Sequence, residues 1–139
     1  MAIYPFLTFN GNCKEAMRFY QSCFGGELHF KYLGEAPYGK NLPIEMKQLV
    51  LHASLVSEHI RLFASDMPGD EGLLNGNSIS LLISIAQNDD LQNVFTRLSR
   101  SGEVTNPLSE KAQWATLRDR FEVQWIFTAG NSSDQKVKY

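Results

Sequence analysis

Long apolar segments are missing from this 139-residue sequence. No stretch approaches the roughly 18 to 20 apolar residues that cross a bilayer, and the first residues lack the basic and apolar regions of a signal peptide. A basic surplus is missing as well, because 13 Lys and Arg stand against 15 Asp and Glu, for a net charge of -2. We therefore expect a cytoplasmic protein that binds neither membranes nor nucleic acid.

Cysteine is also scarce, and the two residues, Cys13 and Cys23, lie ten positions apart in one predicted helix. That spacing corresponds to about 15 Å of helical rise, which is too far for a disulfide. At a helix start the pKa of Cys13 could be lowered, although small residues are commonly tolerated there for other reasons. Apolar residues make up 43% of the chain and charged residues 20%, which is typical of a globular domain and excludes a disordered chain.

Two regions of the chain repeat one order of predicted elements. A strand over 3–9 is followed by a helix over 13–24, which Asn12 caps and Gly25 ends. Much later, a strand over 79–86 is followed by a helix that begins near residue 88 and ends before Gly102. A shift of 76 positions superposes Ile3 on Ile79, and the shared order of elements indicates an internal duplication.

Three strand patterns follow each predicted helix. In the first half they cover 27–33, 48–56 and 59–65, with a two-residue hairpin connection at 57–58. In the second half they cover 103–105, 113–118 and 123–128, with a four-residue turn at 119–122. Each half is thus a β-α-β-β-β module of an α+β protein. We expect a single domain over 1–139, with modules at about 1–66 and 78–130, a linker over 67–77 and a polar tail over 131–139.

One helix covers only one face of a four-stranded sheet. Strand alternation turns Leu7 and Phe9 toward the first helix, which leaves Tyr4 and Phe6 on the opposite face. These opposite faces are too apolar to remain in water, so we expect the two curved mixed sheets to surround a concave cleft, completed in a homodimer. A concave apolar cleft with a few polar groups is the usual form of a small-molecule site.

The opening segment, residues 4–28, reads YPFLTFNGNCKEAMRFYQSCFGGEL. With the paired modules, this segment resembles the vicinal oxygen chelate superfamily, and more narrowly its PhnB-like branch of glyoxalase and bleomycin-resistance relatives, often labelled demethylubiquinone methyltransferase-like. The segments 51–53, 62–66 and 119–125 extend the resemblance over residues 1–130, although the family usually has Gly where this chain has Glu122. The resemblance implies a glyoxalase-like fold, whose members include metal-dependent isomerases, ring-cleaving dioxygenases, thiol transferases and metal-free antibiotic-sequestering proteins.

In the metal-dependent relatives, the resemblance implies four ligands, one on the first and one on the last strand of each module. The corresponding positions here are Tyr4, Ser80, Phe63 and Ile126. Divalent ions prefer imidazole, carboxylate or thiolate ligands, and Phe63 and Ile126 offer no ligand atom. The three histidines form no His-x-x-x-His pair. We therefore expect neither a metal nor a cofactor.

Alternation along the strands predicts which side chains line the cleft. The predicted hairpin pairs His52 with Phe63, and the alternatives that the imidazole meets a ligand or only bonds the sheet stay open. On the last strand Gln124 and Ile126 face the cleft, while Trp125 and Trp114 are expected to pack beneath the second helix. The predicted ligand pocket comprises Tyr4, His52, Phe63, Ser80, Gln124 and Ile126.

These observations favour a metal-free PhnB-like protein that binds or sequesters a small molecule, whose identity the sequence does not specify. The alternatives are a lyase, isomerase or dioxygenase-type enzyme of the same superfamily, with displaced metal ligands or with His52 as acid or base, and a structural homodimer without a ligand. The methyltransferase label gains no support, because no glycine-rich cofactor-binding motif follows a strand.

Overall fold

The computed structural model describes residues 1–67, 72–86, 88–109 and 114–129. Positions 68–71 of the predicted linker and the predicted tail over 131–139 lie outside these residues. The chain divides into two compact units, residues 1–74 and 75–139. Among the helices within the described ranges, the longest has 12 residues, and none has the length and apolar character that crossing a membrane requires.

Unit 1 is built as a β-α-β-β-β module. Its elements are β1 (Phe6–Phe9), α1 (Cys13–Phe24), β2 (Glu27–Tyr32), α2 (Ile44–Lys47), β3 (Val50–Val56) and β4 (Arg61–Asp66). Two 3-10 turns, Leu33–Glu35 and Gly39–Asn41, lie between β2 and α2. The sheet has the order β1-β4-β3-β2, in which β1 is parallel to β4 and the other pairs are antiparallel.

Unit 2 repeats this arrangement. Its elements are β5 (Leu81–Ile85), α3 (Asn88–Leu98), β6 (Glu103–Asn106), β7 (Trp114–Arg118) and β8 (Gln124–Ala129). The sheet has the order β5-β8-β7-β6, with β5 parallel to β8. The matching strand orders confirm the duplication, and with it the predicted α+β fold of two β-α-β-β-β modules with mixed sheets.

The core of unit 1 lies between α1 and one face of its sheet. Every third or fourth residue of α1 is buried, which is the spacing of a helix with one apolar face. The buried residues of α1 are Cys13, Ala16, Met17, Tyr20 and Cys23. On β1, Phe9 is buried while Phe6 is 54% exposed, so the predicted alternation of the strand is confirmed.

The core of unit 2 is formed in the same way by α3 and its sheet. Leu91, Phe95 and Leu98 are the buried residues of the helix, and the Phe95 ring meets the Phe127 ring of β8 edge-on, with centroids 5.1 Å apart. On β5, Leu82 faces the other way and is 51% exposed. Both sheets therefore leave apolar side chains on the face that their helix does not cover.

The amino terminus of α1 is capped by Asp66, from the end of β4, and not by the side chain of Asn12. Asn12 occupies the capping position but makes no side-chain capping bond. The Cys13 N–H donates to Oδ1 of Asp66 at 2.9 Å, and the Val50 N–H donates to Oδ2 at 2.9 Å. Because β4 runs parallel to β1, its last residue lies beside the start of the helix that follows β1. The predicted capping position, Asn12, is confirmed, but the side chain that caps the helix is that of Asp66, which cannot be found by considering only neighbours in sequence.

The connection between β3 and β4 has four residues, Ser57 to Ile60, rather than two. The Ser57 N–H donates to the Ile60 carbonyl at 2.9 Å and closes the turn. Val56 consequently pairs with Arg61, and Phe63 pairs with Ser54 instead of His52. The predicted register was wrong by two residues, an even shift, so every side chain keeps the face that was predicted for it.

The connection between β7 and β8 has five residues, and here the predicted register was wrong by one. Arg118 pairs with Gln124, and Trp114 pairs with Thr128 instead of lying near Phe127. An odd shift moves a side chain to the other face of the sheet. Trp114 is therefore 40% exposed on the face opposite α3, whereas Trp125 is buried as predicted.

The extra residue in this turn is accommodated by Asp119 and Glu122. Oδ1 of Asp119 accepts hydrogen bonds from the N–H groups of Phe121 and Val123, at 2.8 and 3.1 Å. Glu122 adopts a φ of 69°, in the left-handed region that favours glycine. Glu122 is also the position at which the sequence departs from the resembling family, which usually has Gly there.

Candidate functional site

Four rings gather on the face of the unit 1 sheet that α1 does not cover. They belong to Tyr4, Phe6, His52 and Phe63, which we call the aromatic cluster. The Phe63 centroid lies 5.6 Å from that of Tyr4 and 5.6 Å from that of His52, and the Phe6 and His52 centroids are 6.3 Å apart. The cluster is open to solvent, since Tyr4 and Phe6 are 43% and 54% exposed. Three of its members, Tyr4, His52 and Phe63, belong to the predicted pocket.

The strand pairings explain how these rings come together. Phe6 of β1 and Phe63 of β4 are register partners in the parallel pair. Tyr4 lies just before β1, although the sequence predicted it inside the strand. The Phe63 N–H donates to the Pro5 carbonyl at 3.2 Å, which continues the pairing toward Tyr4. The aromatic cluster is thus held mainly by the backbone of two adjacent strands.

His52 reaches the cluster from β3. Its register partner is Lys31 of β2, and its ring contacts are with Phe6 and Phe63. Within the part of the chain that the structure describes, the imidazole forms no hydrogen bond to a protein group. A bond to the sheet therefore does not account for its position. An exposed imidazole between two rings can donate or accept a hydrogen bond from outside the chain.

Arg61 borders the cluster and was missed by the sequence analysis. It is exposed on β4, two positions before Phe63 and therefore on the same face. Its guanidinium carbon lies 5.7 Å from the Tyr4 centroid, and its Nη1 donates to the Tyr4 hydroxyl at 3.5 Å. The same period of two that selected Phe63 also points to Arg61. Phe6 was likewise predicted on this face but was left out of the pocket.

The other three predicted pocket residues lie in unit 2. Ile126 of β8 is partly buried and pairs with Leu82 of β5. Gln124 donates through Nε2 to the Ile79 carbonyl at 2.9 Å and accepts through Oε1 from Arg118 at 3.1 Å. Its amide thereby holds the segment before β5. Ser80 is exposed in that segment, just outside the strand that was predicted to contain it. The union of these residues with the aromatic cluster in one cleft stays a prediction.

A separate groove of about 650 Å³ lies in unit 1 near the start of α1. It is lined by Gly11, Lys14, Tyr32, Gly34, Glu35, Glu45, Lys47, Gln48, Leu49 and Asp66, none of which belongs to the predicted pocket. Both carboxylate oxygens of Asp66 accept backbone N–H groups, and Lys14 Nζ lies 5.4 Å from the Tyr32 centroid. These groups are engaged in holding the unit together. We therefore place the candidate site at the aromatic cluster rather than in the groove.

Cys13 is not a candidate nucleophile. Its side chain is fully buried, and burial, with a smaller contribution from the neighbouring Asp66 carboxylate, raises the pKa of the thiol to about 12. A raised pKa keeps the sulfur protonated and unreactive at neutral pH. The effect of desolvation, which raises the pKa, therefore outweighs the lowering of the pKa that a helix start can produce. Cys23 is also buried, and neither cysteine forms a disulfide.

The chain does not fit the four-ligand metal site of its metal-dependent relatives. At the four corresponding positions stand two apolar side chains, Phe63 and Ile126, and two hydroxyl groups, those of Tyr4 and Ser80. Over residues 1–67, 72–86, 88–109 and 114–129, no three His, Cys, Asp or Glu side chains come together in a group that could hold a metal ion.

Comparison with known sequences identifies the family of this chain. The chain matches the family described as 3-demethylubiquinone-9 3-methyltransferase over residues 1–128. Protein YjdN from Escherichia coli strain K12 is 26% identical over 140 residues, a match that covers 91% of this chain and 93% of YjdN.

Solved structures of similar proteins share the fold of this chain. Protein PA1353 from Pseudomonas aeruginosa superposes with a TM-score of 0.82 at 28% identity, over 95% of this chain and 99% of that one. A putative 3-demethylubiquinone-9 3-methyltransferase, the PhnB protein from Bacillus cereus, gives 0.75 at 24% identity, over 94% and 100%. The fosfomycin resistance protein FosX from Listeria monocytogenes shares the fold alone, with 0.64 at 10% identity over 100% and 98%. This chain belongs to the 3-demethylubiquinone-9 3-methyltransferase family, and it shares the glyoxalase-like fold of the PhnB protein and FosX.

Proposed function

We propose that this protein binds a small molecule at the aromatic cluster and acts by holding that molecule rather than by transforming it. The supporting observation is the cluster itself, in which four rings lie side by side on a sheet face with two of them about half exposed. Exposed apolar groups gathered in one place mark binding sites, since solvent penalises such surface.

The binding is proposed to need no metal ion. Phe63 and Ile126 stand where the metal-dependent relatives place ligands, and neither carries an atom that can coordinate a cation. A phenyl ring at such a position contributes contact area to a ligand instead. The ligand would then be recognised by ring packing and by the few polar groups beside it.

Catalysis by His52 is the second candidate function. The observation that favours it is the exposed imidazole, which meets two rings and no protein hydrogen-bond partner in the described part of the chain. A histidine so placed can act as general acid or base on a bound molecule. His52→Ala would abolish turnover in that case, whereas for a holding protein it would alter affinity alone.

Phe63→Ala is expected to weaken ligand binding by about 1 to 3 kcal/mol, because it removes ring contact area from an open wall. The ligand would be the molecule that native mass spectrometry finds retained on protein purified from its own host. Tyr38→Ala is the matched control, since Tyr38 is an exposed aromatic outside the aromatic cluster. Equal affinities of wild type and Phe63→Ala would contradict the proposed site, and a stoichiometric divalent metal in the same spectra would contradict metal-free binding.

A homodimer is part of the proposal and is tested separately. Leu82, at 51% exposure, leaves apolar surface on the unit 2 sheet that a second copy can cover. Sedimentation velocity at micromolar concentration is expected to give twice the chain mass of 15.7 kDa. A monomer under these conditions would show that this surface has another role.

A further inference from the structure

The aromatic cluster lies between two cationic side chains. Arg61 stands beside Tyr4 at one side, and Lys31 is the register partner of His52 at the other. By strand alternation, Glu27 is the one carboxylate among the described residues of β1 to β4 on this face, and its Oε2 is 3.8 Å from Nε2 of His29. The surroundings of the cluster are therefore positive, although the whole chain has a net charge of -2.

Arg61 is the cation best placed to meet a ligand. Within the described residues, no carboxylate lies at salt-bridge distance from its guanidinium, and its contacts are with the ring and hydroxyl of Tyr4. The 3.5 Å separation from that hydroxyl is long for a hydrogen bond, so most of its donor groups are available. A planar guanidinium with free donors binds a carboxylate through two parallel hydrogen bonds.

We propose that the ligand of this site is a planar aromatic carboxylate. Its ring would pack against Phe6, Phe63 and His52, and its carboxylate would be bound by Arg61. This inference rests on the proposed function, because it names the chemical class of molecule held at the aromatic cluster. The rings supply apolar contact without charge preference, and the cation beside them selects an anion.

Three probe molecules distinguish packing against the aromatic rings from binding of the carboxylate by Arg61. They are 2-naphthoate, the uncharged 2-naphthalenemethanol and the non-aromatic cyclohexanecarboxylate, each titrated into ¹⁵N-labelled full-length protein. We expect 2-naphthoate to bind at least fivefold more tightly than either of the others. The amide resonances that move should be those of residues around Phe6, His52 and Phe63, and not those around the separate groove near Lys14.

Arg61→Gln is expected to weaken 2-naphthoate binding about tenfold and to leave 2-naphthalenemethanol binding unchanged, since a hydrogen-bonded charge is worth about that factor. Arg18→Gln is the matched control, because Arg18 is an exposed arginine on α1, which covers the other face of the sheet. Native-like spectra of the variants ensure that affinity, and not folding, is compared.

The inference is overturned if 2-naphthalenemethanol binds as tightly as 2-naphthoate, or if Arg61→Gln and Arg18→Gln behave alike. It is also overturned if no probe moves the cluster resonances at millimolar concentration, or if Arg61→Gln changes dimer dissociation instead, which would make the face an interface between two copies. In the first two cases, a retained host molecule whose binding Phe63→Ala weakens would leave the proposed function standing. The proposed function fails by itself if no molecule is retained and no probe binds.

Discussion

Asp66→Ala is expected to lower the free energy of unfolding by about 3 to 5 kcal/mol, the range for leaving two buried donors without a charged acceptor. The carboxylate is 6% exposed and accepts the backbone N–H groups of Cys13 and Val50, both at 2.9 Å. The substitution would leave the N–H groups of Cys13 at the helix start and Val50 at the start of β3 without their acceptor. Urea unfolding monitored by circular dichroism measures the loss.

Two further variants make this result interpretable. Asp66→Asn keeps the size of the side chain but offers one oxygen instead of two, so a loss smaller than that of Asp66→Ala is expected. Ser65→Ala changes the adjacent position, where the partly buried side chain forms no hydrogen bond in the described part of the chain. That control should stay within about 0.5 kcal/mol of wild type. A loss below about 1 kcal/mol for Asp66→Ala would show that water reaches both donors.

Alkaline pH is expected to destabilise the protein through Cys13. Burial raises the pKa of this thiol in the folded protein from its ordinary value of 9.0 to about 12. Between these two values the unfolded chain has released the thiol proton and the folded chain has kept it. Stability is therefore fully present below pH 9 and falls as the pH rises toward 12. From pH 8 to pH 11 the contribution of Cys13 is a loss of about 2 to 3 kcal/mol.

The loss is measured as a difference between wild type and Cys13→Ala. All other ionisable groups are the same in both proteins, so their contributions cancel when the two urea-unfolding series are subtracted at each pH. The truncation of a buried side chain lowers the stability of Cys13→Ala at every pH alike. We therefore expect the gap between the two proteins to narrow as the pH rises from 8 to 11. A constant gap would mean that the folded protein ionises Cys13 as readily as the unfolded chain does.

The elements with local signals were predicted closely from the sequence. The helix predicted over 13–24 is α1, because its apolar spacing and the Gly25 that follows it are both local features. The Asp66 cap could not be found in this way, since 53 positions separate it from Cys13. A capping bond of this kind depends on which strands are parallel neighbours, and that is decided by the whole sheet.

The two hairpins show why faces are harder to predict than strands. The loop before Arg61 is two residues longer than predicted, and the faces of β4 were still correct. The loop before Gln124 is one residue longer, and Trp114 changed sides. A side chain changes to the other face only when the register error is an odd number of residues, since side chains alternate with a period of two. The extra residue in this turn could not be predicted from Glu122, because glutamate rarely adopts the positive φ that it has here.

Three of the six predicted pocket residues lie together in unit 1, on the face that strand alternation and the family resemblance predicted for them. Tyr4, His52 and Phe63 were each predicted to point away from the helix, and their rings do meet on that face of the sheet. Arg61 was not included because an exposed arginine on a strand is commonly a solvated charge. Its proposed role as a ligand-binding cation depends on two structural facts. Arg61 lies beside Tyr4, and no carboxylate among the described residues lies at salt-bridge distance from it.

The parallel pairing of β1 with β4 has a consequence for biosynthesis. Fifty-one residues separate Phe9 at the end of β1 from Arg61 at the start of β4. At about 5 to 20 residues per second, a ribosome needs roughly 3 to 10 seconds to add them. Both strands pass through the exit tunnel with the same delay, so β1 emerges earlier than β4 by this interval, and Phe6 stays without its register partner Phe63 during that time. A shorter delay, over the 38 residues between Ile85 and Gln124, recurs between β5 and β8. In each newly made unit, the first strand therefore has to wait for the last strand before the two can pair.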